Sequence, residues 1–294
     1  MIRLEAPCLR DLTTLRLGGR ARTLYRLQSE ADLGSLAELF TSERPLPMIL
    51  GGGSNILALD GDHDVDLLRL EWTVGPEIVA LEEDFVLVKV GGGNHLGALV
   101  RWCRDQALSG LEGLVGIPGT VGGALAGNAG AHGQDMGQIL HLARFWHPAV
   151  GPVEVPRAFL DFSYRSMVWP ESPGWHLATE AVLRLRPRSK EEVARKTWEC
   201  LDAKRTTQPL EAWTAGCVFK NPSDIPAGFL LDRAGWRGRS LGGMRFSPKH
   251  ANFLENTGQG SSTEAFCLID EAREDIQRRH DIALQLELRV FPWP

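Results

Sequence analysis

A run of closely spaced glycines between residues 113 and 133 carries the strongest chemical signal in the chain. Glycine occurs there at 113, 116, 119, 122, 123, 127, 130 and 133. Because glycine has no side chain, the main chain can approach a ligand closely or take a positive φ. The same glycines disfavour a helix, and the run is too short and proline-poor for collagen. We expect a backbone wall against a flat or phosphorylated ligand, with a tight structural crossing as the alternative.

Two triple-glycine turns add to this signal. Gly51–Gly53 leads into Ser54 and Asn55, and Gly91–Gly93 ends a predicted strand. Neither turn has the Gly-Lys-Ser/Thr ending of a P-loop or the third glycine of a dinucleotide fingerprint. Successive amides in a tight turn can form an anion-binding nest. Together with the glycine wall, the turns predict a site for a long diphosphate cofactor, whereas a plain hairpin loop is the alternative for either turn alone.

Strands and short helices must position these glycines. Apolar residues predict strands from 46 into the first turn and from Phe85 to Val90. A helix is predicted after Gly93 because apolar residues recur at helical spacing: Leu96, Leu99, Val100, Cys103 and Ala107. The alternation continues to about Arg188 and predicts one α+β domain.

The second part of the chain has clearer helix boundaries. Ser189 to about Thr207 reads as a charged connector helix, with one face formed by Ala194, Thr197, Trp198 and Leu201. Pro226 is placed to begin a helix through Arg233 that stops at Gly235. Ser261 and Glu264 predict a capping box for a helix to about Arg279. The final stretch alternates as a strand does, with Leu284, Leu286, Leu288 and Val290 opposite Gln285, Glu287 and Arg289.

Composition restricts the class of protein. The 294 residues suffice for two domains, and 43% hydrophobic with 23% charged residues is ordinary for a globular protein. A net charge of −5 argues against a nucleic-acid partner. No signal peptide and no apolar run of about 18 residues are evident, so we predict a cytoplasmic protein without membrane insertion. Five dispersed cysteines predict reduced thiols and no metal site.

Ordered blocks along nearly the whole chain carry a family resemblance. They are Thr13–Ala21 (TTLRLGGRA), Leu50–Leu57 (LGGGSNIL), Gly116–Ala124 (GIPGTVGGA), Asn128–Ala131 (NAGA), Tyr164–Arg165, Lys204–Arg205 with Gln208–Pro209, Val218–Pro222 (VFKNP) and Ser247–Phe253 (SPKHANF). In these blocks the chain resembles the UDP-N-acetylenolpyruvoylglucosamine reductases, flavoenzymes of peptidoglycan synthesis.

The resemblance implies an architecture and a set of partners. The implied fold is α+β: an FAD-binding domain of the vanillyl-alcohol-oxidase (PCMH) type in two subdomains, then a smaller α+β substrate-binding domain. We expect these at residues 1–188, with a subdomain boundary near 70–90, and 189–294. The short segment from Arg165 to Cys217 resembles the variant without an inserted tyrosine loop. Implied partners are non-covalent FAD, NADPH and UDP-N-acetylglucosamine enolpyruvate, in a monomer or weak homo-oligomer.

The family's reaction implies roles for two charged residues. Hydride passes from NADPH through FAD to C3 of the enolpyruvyl group, and the enolate is protonated at C2. Arg165 matches the family's arginine that polarises the substrate carboxylate, a task suited to a permanently charged planar fork. Glu287 matches the active-site glutamate that stabilises the enolic intermediate. A surface arginine and a solvated glutamate beside Arg289 are the alternatives.

Cys217 departs from the family pattern, which usually has serine there as the proton donor to C2. A thiol, with a reference pKa of about 8.5, is a stronger acid than a hydroxyl, so we expect proton donation to survive. Neighbouring cations such as Arg165 or Lys220 would favour an ineffective thiolate. A buried inert cysteine is the other alternative. A smaller departure is Met167, where the family commonly has serine.

The resemblance also implies binding residues. Cofactor contacts are expected from Gly51, Gly52, Gly53, Ser54, Asn55, Ile56, Ile117, Pro118, Gly119, Thr120, Gly122, Gly123, Ala124, Asn128 and Ala129. Substrate contacts are expected from Tyr164, Lys220, Asn221, Lys249, His250 and Asn252.

Two other functions stay open at this point. A flavin- or UDP-sugar-binding protein that has lost turnover would explain Cys217 as a sign of decay, although Arg165 and Glu287 are retained. An FAD-dependent alcohol or sugar oxidase of the same fold is the other alternative.

Overall fold

The chain divides into two compact units. The computed structural model describes residues 1–39, 46–172, 174–222 and 225–292. The first unit comprises Met1–Leu4, Thr23–Gly52 and Asp66–Ala203, and the second comprises Glu5–Arg22, Gly53–Val65 and Lys204–Pro294. Each unit is thus made of three separate segments, whereas the sequence predicts two consecutive domains at residues 1–188 and 189–294. Two early segments belong to the second unit because Leu15, Leu17 and Leu57 are buried in its core.

Helices and strands alternate through the described residues. The α-helices are α1 (Leu9–Leu12), α2 (Asp32–Leu36), α3 (Leu96–Asp105), α4 (Val121–Ala126), α5 (Met136–Ile139), α6 (Lys190–Thr207), α7 (Ala227–Arg233) and α8 (Ser262–His280). Single 3₁₀ turns lie at Ala37–Leu39, Glu112–Leu114 and Arg157–Phe159. None of the helices in these ranges is both long and apolar enough to cross a membrane.

The strands range from two to eleven residues, and with the helices they confirm the α+β class. They are β1 (Ile2–Glu5), β2 (Arg20–Leu27), β3 (Met48–Ile49), β4 (Ile56–Ala58), β5 (Asp62–Leu70), β6 (Glu77–Leu81), β7 (Val86–Gly91), β8 (Leu108–Ser109), β9 (Gly130–Ala131), β10 (Gln134–Asp135), β11 (Leu140–His147), β12 (Gly151–Pro156), β13 (Asp161–Ser163), β14 (Ser166–Val168), β15 (Leu177–Pro187), β16 (Trp213–Cys217), β17 (Ser240–Leu241), β18 (Met244–Phe246), β19 (Phe253–Asn256) and β20 (Arg289–Phe291).

A six-stranded sheet forms the centre of the first unit. Its strand order is β12-β11-β15-β7-β6, with β8 also paired to β15. The neighbouring pairs are antiparallel, and alternate residues of β15 are buried, as expected for a sheet with one covered face. Helix α3 packs into the same core through four of the predicted residues: Leu96, Leu99, Val100 and Cys103. The fifth, Ala107, lies beyond the helix with φ at +58°.

The long helix α6 is present as predicted, but one residue predicted on its buried face, Trp198, lies on the surface. Trp198 is 55% exposed, whereas Val193 and Thr197 are buried. The Thr197 hydroxyl donates to the Val193 carbonyl one turn earlier. The buried stripe therefore runs through positions 193 and 197, and Trp198 is one residue further round the helix.

The second unit is built on a four-stranded antiparallel sheet in the order β16-β19-β18-β17. Helices α7 and α8 bury Leu230, Leu231 and Ile269 in its core. Pro226 stands immediately before α7, and Gly235 follows it with φ at +83°. The predicted capping box of Ser261 and Glu264 begins α8 with both hydrogen bonds present. These helix boundaries are confirmed.

The C-terminal stretch is extended, but its regular strand is shorter than predicted. Only Arg289–Phe291 forms a strand, β20, which pairs in parallel with β4. Earlier in the stretch, Leu286 bridges Phe219 instead. The C-terminal stretch pairs with Phe219 at Leu286 and with β4 from Arg289 onward. Because the pairing partner changes, the stretch does not form the single continuous strand that its alternating residues predict.

Candidate functional site

In the first unit, the first glycine turn packs directly against the glycine-rich segment. A Cβ on Gly52 would lie 2.7 Å from Gly119 Cα, and one on Gly51 would lie 2.9 Å from Thr120 Oγ1. The Thr120 hydroxyl accepts the Gly123 amide at 3.3 Å and caps α4. The expectation that the glycines exclude a helix is therefore wrong for Val121–Ala126. The predicted close approach is thus a tight crossing of two chain segments, which leaves Gly116, Pro118 and Gly123 on an exposed surface of main chain.

The second triple-glycine turn, Gly91–Gly93, does not form the predicted anion-binding nest, because two of its three amides already donate to main-chain carbonyls. Gly91 donates to the Val74 carbonyl at 2.8 Å, and Gly92 donates to the Thr179 carbonyl at 2.6 Å. All three glycines are buried. The Gly92 carbonyl in turn accepts the Gly122 amide at 2.8 Å. This turn therefore positions the glycine-rich segment rather than offering donors to a ligand.

Glu112 fixes the start of the glycine-rich segment. It is 3% exposed, and its carboxylate accepts from Ser109 Oγ at 2.6 Å and from the Gly110 amide at 2.8 Å. Gln134 Nε2 also donates to it at 2.9 Å, and Gln134 Oε1 accepts the Gly113 amide at 2.5 Å. Burial opposes ionisation of Glu112, but these hydrogen bonds outweigh it and lower its pKa.

Arg165 lies at the tip of a short hairpin in the first unit. Strands β13 and β14 pair through Ser163 and Ser166, so Tyr164 and Arg165 form the connection. Arg165 takes φ at +57°, which is costly for a residue with a Cβ, and such strain often occurs at functional sites. Its Nη1 donates to the Gly130 carbonyl at 2.9 Å, and the guanidinium carbon lies 5.1 Å from the centre of the Tyr164 ring.

Two residues predicted to contact the cofactor are buried. Ala124 is 7% exposed and Asn128 is 5% exposed. The Asn128 side chain donates to the Ser163 carbonyl at 2.9 Å and accepts the Gly137 amide at 3.0 Å. Its polar atoms are directed at the protein main chain. Sequence reasoning missed this contact, because nothing in the local pattern connects residue 128 to residue 163.

The second unit brings several of the predicted residues together along the C-terminal stretch. The Glu287 amide donates to the Val218 carbonyl, next to Cys217, at 2.8 Å, and the Lys220 amide donates to the Gln285 carbonyl at 2.8 Å. Asn55 Nδ2 donates to the Glu287 carbonyl at 3.2 Å. These main-chain contacts place Cys217, Lys220, Asn55 and Glu287 in one neighbourhood.

The part of the first glycine turn that belongs to the second unit is closely packed. Gly53 has φ at +64°, and a Cβ there would lie 2.1 Å from the Leu12 carbonyl oxygen. Its own carbonyl accepts the Thr14 amide at 3.1 Å. Only glycine fits this position, so the turn that carries Ser54 and Asn55 is fixed by its neighbours.

The segment from Cys217 to Asn221 is held from behind by Asn252. This side chain is 1% exposed, accepts the Phe219 amide at 3.0 Å and donates to the Phe219 carbonyl at 2.8 Å. Asn252 therefore positions this segment, and its contact with substrate stays a prediction. Asn221 Oδ1 accepts the Ala227 amide at 3.0 Å at the start of α7.

The two remaining predicted substrate residues have internal partners. His250 Nδ1 accepts the Asn252 amide at 3.2 Å, so the neutral ring carries its proton on Nε2. Burial lowers the pKa of His250, and Arg237 acts in the same direction. Lys249 is exposed, and its Nζ donates to the Arg205 carbonyl.

Two family models match different parts of the chain. A model described as "FAD binding domain" matches residues 21–148. A second, described as "UDP-N-acetylenolpyruvoylglucosamine reductase, C-terminal domain", matches residues 208–291. The chain thus carries an FAD-binding domain followed by the C-terminal domain of a reductase, as the sequence blocks predict.

Individual relatives match over the full length. UDP-N-acetylenolpyruvoylglucosamine reductase of Nitratidesulfovibrio vulgaris is 41% identical over 99% of this chain and 98% of its own. The reductase of Oleidesulfovibrio alaskensis is 42% identical with the same coverage. A crystal structure of UDP-N-acetylenolpyruvylglucosamine reductase from Thermus caldophilus superposes with a TM-score of 0.81 at 33% identity, covering 99% of this chain and 98% of that one. The chain belongs to the UDP-N-acetylenolpyruvoylglucosamine reductase family.

Proposed function

We propose that this protein reduces UDP-N-acetylglucosamine enolpyruvate to UDP-N-acetylmuramate for peptidoglycan synthesis, with FAD bound non-covalently and NADPH as the hydride donor. The observation that supports the chemistry most directly is the main-chain ladder in the second unit. There the main-chain amide of Glu287 donates to the Val218 carbonyl, and the main-chain amide of Lys220 donates to the Gln285 carbonyl. The segment that carries Cys217 and Lys220 thereby lies beside the segment that carries Glu287.

The glycine surface of the first unit fits a flat, diphosphate-bearing cofactor. A Cβ on Gly51 or Gly52 would meet atoms of the segment at Gly119 and Thr120, so side chains are excluded from this backbone cradle. We assign FAD to this surface. When bound, FAD supplies hydride transfer to the enolpyruvyl group. Ala124 and Asn128 are buried, and the Ala124 amide donates to the Thr120 carbonyl of the cradle at 2.8 Å.

Arg165 is proposed to bind the substrate carboxylate. Its guanidinium is always charged and planar, so it matches a carboxylate that gains electron density as C3 accepts hydride. The Nη1 contact with the Gly130 carbonyl fixes the direction of the side chain at a strained hairpin tip. A fixed cation costs no reorganisation during the reaction, which is the advantage of a preorganised site.

Cys217 is proposed to donate the proton to C2, and Glu287 to stabilise the enolic charge. A thiol is a stronger acid than a hydroxyl, so Cys217 is chemically able to donate a proton where the family usually has serine. Cys217 is half-buried and follows Gly216, which takes φ at +82°. Replacing the family's usual serine by cysteine therefore keeps a proton donor at this position.

The nucleotide part of the substrate is assigned to cations and amides of the second unit. Lys220 and Lys249 suit a diphosphate, with Asn221 and His250 near them in the sequence blocks. Tyr164, which is 50% exposed, is the proposed substrate contact of the first unit. A cytoplasmic location and a monomer or weak homo-oligomer stay predictions.

The test separates the two half-reactions under anaerobic conditions. NADPH is used to reduce the flavin, UDP-N-acetylglucosamine enolpyruvate is added, and flavin absorbance is followed together with product formation. We expect prompt reoxidation with formation of UDP-N-acetylmuramate. A flavin that stays reduced would indicate an oxidase or another acceptor, and protein that does not retain FAD would overturn the proposal.

The matched variants Cys217→Ala and Cys217→Ser test the proton donor. Loss of a positioned general acid costs about 10²- to 10⁴-fold in rate. We therefore expect Cys217→Ala to lose turnover by that factor while NADPH still reduces the flavin at the wild-type rate. Cys217→Ser should retain turnover, and equal rates for Cys217→Ala and wild type would assign proton donation to another group.

A further inference from the structure

We infer that Asn128 is a positioning residue that sets the hairpin carrying Arg165, and that it does not itself contact the cofactor; this inference rests on the proposed function. Asn128 is 5% exposed. Its Nδ2 donates to the Ser163 carbonyl at 2.9 Å, and its Oδ1 accepts the Gly137 amide at 3.0 Å. The side chain thus connects the end of the glycine-rich segment to the residue that precedes Tyr164 and Arg165.

The main chain at Asn128 is fixed before its side chain reaches the hairpin. Its amide donates to the Leu125 carbonyl at 3.1 Å, and the next amide, of Ala129, donates to the Ala124 carbonyl at 2.7 Å. These bonds close the C-terminal end of α4. Asn128 takes φ at +40°, a left-handed conformation that asparagine tolerates better than most residues. The local fold therefore favours glycine, asparagine or aspartate at this position, and the amide group of asparagine makes the contact with Ser163.

The hairpin cannot hold its own position. Strands β13 and β14 share only three residue pairs, and an isolated two-stranded hairpin is marginally stable at best. Its stability must come from contacts with the rest of the unit. The strained φ of Arg165 adds to this requirement, because strain persists only where the surroundings impose it.

Residues 128–130 contact the hairpin on both sides of its tip. Asn128 binds the Ser163 carbonyl before the tip, and the Gly130 carbonyl accepts Arg165 Nη1 at 2.9 Å. The two hydrogen bonds join residues 128–130 to residues 163–165 at both ends, with Tyr164 between the two contact points. A shift of the Ser163 carbonyl therefore moves the Arg165 guanidinium.

A second group of contacts supports the base of the hairpin. The Arg157 guanidinium lies 4.4 Å from the centre of the Phe162 ring, and its Nε donates to the Gly137 carbonyl at 2.7 Å. A Cβ on Gly137 would lie 2.6 Å from that ring. Gly137 is thus held by Phe162, Arg157 and Asn128 together. The hairpin, the glycine-rich segment and residue 137 form one packed assembly.

The variants Asn128→Asp and Asn128→Gly remove the donor to Ser163 in different ways. Aspartate keeps the size and the acceptor for the Gly137 amide, whereas glycine accepts the positive φ and removes the amide group. Because a displacement of about 1 Å in a catalytic group can cost about 100-fold in rate, we expect reoxidation of the flavin by substrate to slow by about 10- to 100-fold. The dissociation constant for FAD and the rate of reduction by NADPH should stay within about twofold of wild type.

Two controls separate positioning from general destabilisation. Ser163→Ala leaves the carbonyl in place and should behave as wild type in both half-reactions. Asn94→Asp makes the same change at another buried asparagine, whose side chain bridges the Val74 amide at 3.0 Å and the Gly75 carbonyl at 3.2 Å. It should lower the melting temperature about as much as Asn128→Asp while leaving reoxidation unchanged.

A double-mutant cycle on the rate of flavin reoxidation distinguishes a role of Asn128 that acts through Arg165 from a general role in stability. If Asn128 acts through Arg165, Arg165→Lys should slow reoxidation much less in the Asn128→Asp background than in wild type. Additive losses would overturn the inference. It would also fail if the Asn128 variants bound FAD at least tenfold more weakly yet reoxidised at the wild-type rate once loaded, since Asn128 would then be a cofactor ligand. Failure of the proposed function is distinguishable, because it would be seen in the wild-type protein alone.

Discussion

The two triple-glycine turns, Gly51–Gly53 and Gly91–Gly93, follow apolar strands and look alike in the sequence, yet their surroundings differ. Gly51 and Gly52 are half-exposed and pack against Gly119 and Thr120. Gly91–Gly93 is buried, and the amides of Gly91 and Gly92 are used by the Val74 and Thr179 carbonyls. A glycine run signals close approach, but whether a ligand or the protein itself approaches depends on neighbours distant in sequence.

The largest expected effect is on the buried turn. In Gly92→Ala the new Cβ would lie 2.2 Å from the Ala178 carbonyl oxygen, and neither group is a flexible side chain. We expect the free energy of unfolding to fall by about 3 kcal/mol, at the upper end of the cost of overpacking. Urea unfolding followed by tryptophan fluorescence measures this. If Gly92→Ala had the same free energy of unfolding as the wild type, the claim that the second turn is more tightly packed than the first would be wrong.

Gly52→Ala is the matched change in the exposed turn. Its Cβ would lie 2.7 Å from Gly119 Cα, so the two segments must separate slightly, at a cost of about 1–2 kcal/mol. We expect FAD affinity to fall at least tenfold, since the cradle itself is displaced. Titration of apoprotein with FAD, followed by flavin fluorescence, checks the prediction.

Gly34→Ala provides the control for both variants. Gly34 lies in α2, and a Cβ there would meet nothing within 4 Å. Alanine should leave FAD affinity unchanged and raise stability by up to about 1 kcal/mol, through helix propensity. If Gly52→Ala bound FAD as tightly as Gly34→Ala does, the assignment of the cradle would be wrong.

The smallest expected effect is the pH dependence of the support beneath the glycine-rich segment. Hydrogen bonds lower the folded pKa of Glu112 below the ordinary value of 4.5. Its contribution to stability is therefore complete above that value and is lost as the pH falls through the folded pKa. Glu112→Gln should cost about 1 kcal/mol at neutral pH. Unfolding free energies measured from about pH 6 to pH 3 should show the wild type and the variant converging, and a constant difference would contradict the prediction.

Features that depend on local sequence could be predicted. Helix α3 follows from the spacing of Leu96, Leu99, Val100 and Cys103, which are all buried. The start of α8 follows from Ser261 and Glu264, whose reciprocal hydrogen bonds satisfy amides within one turn. In both cases the deciding contacts lie within a few residues, so the pattern contains the necessary information.

Features that depend on distant partners could not be predicted. Trp198 fits the predicted apolar face of α6 together with Thr197, but the structure buries Thr197 and Val193 and leaves Trp198 exposed. Asn128 and Asn252 match the binding blocks of the family, yet both are buried clamps on main-chain groups. A polar side chain satisfies a ligand and a buried carbonyl by the same hydrogen bonds, so residue type alone does not separate these roles.

By itself the sequence determined the family, the α+β class, the principal helices and which residues of the candidate site are chemically able to act. The tertiary structure decided which of those residues face outward and which support others. Helix and strand propensity, capping and apolar periodicity depend on residues that are close together in the sequence, so they can be recognised from the sequence alone. Burial of Gly91–Gly93 and the contact of Asn128 with Ser163 arise only when segments distant along the chain compete for the same amides and carbonyls.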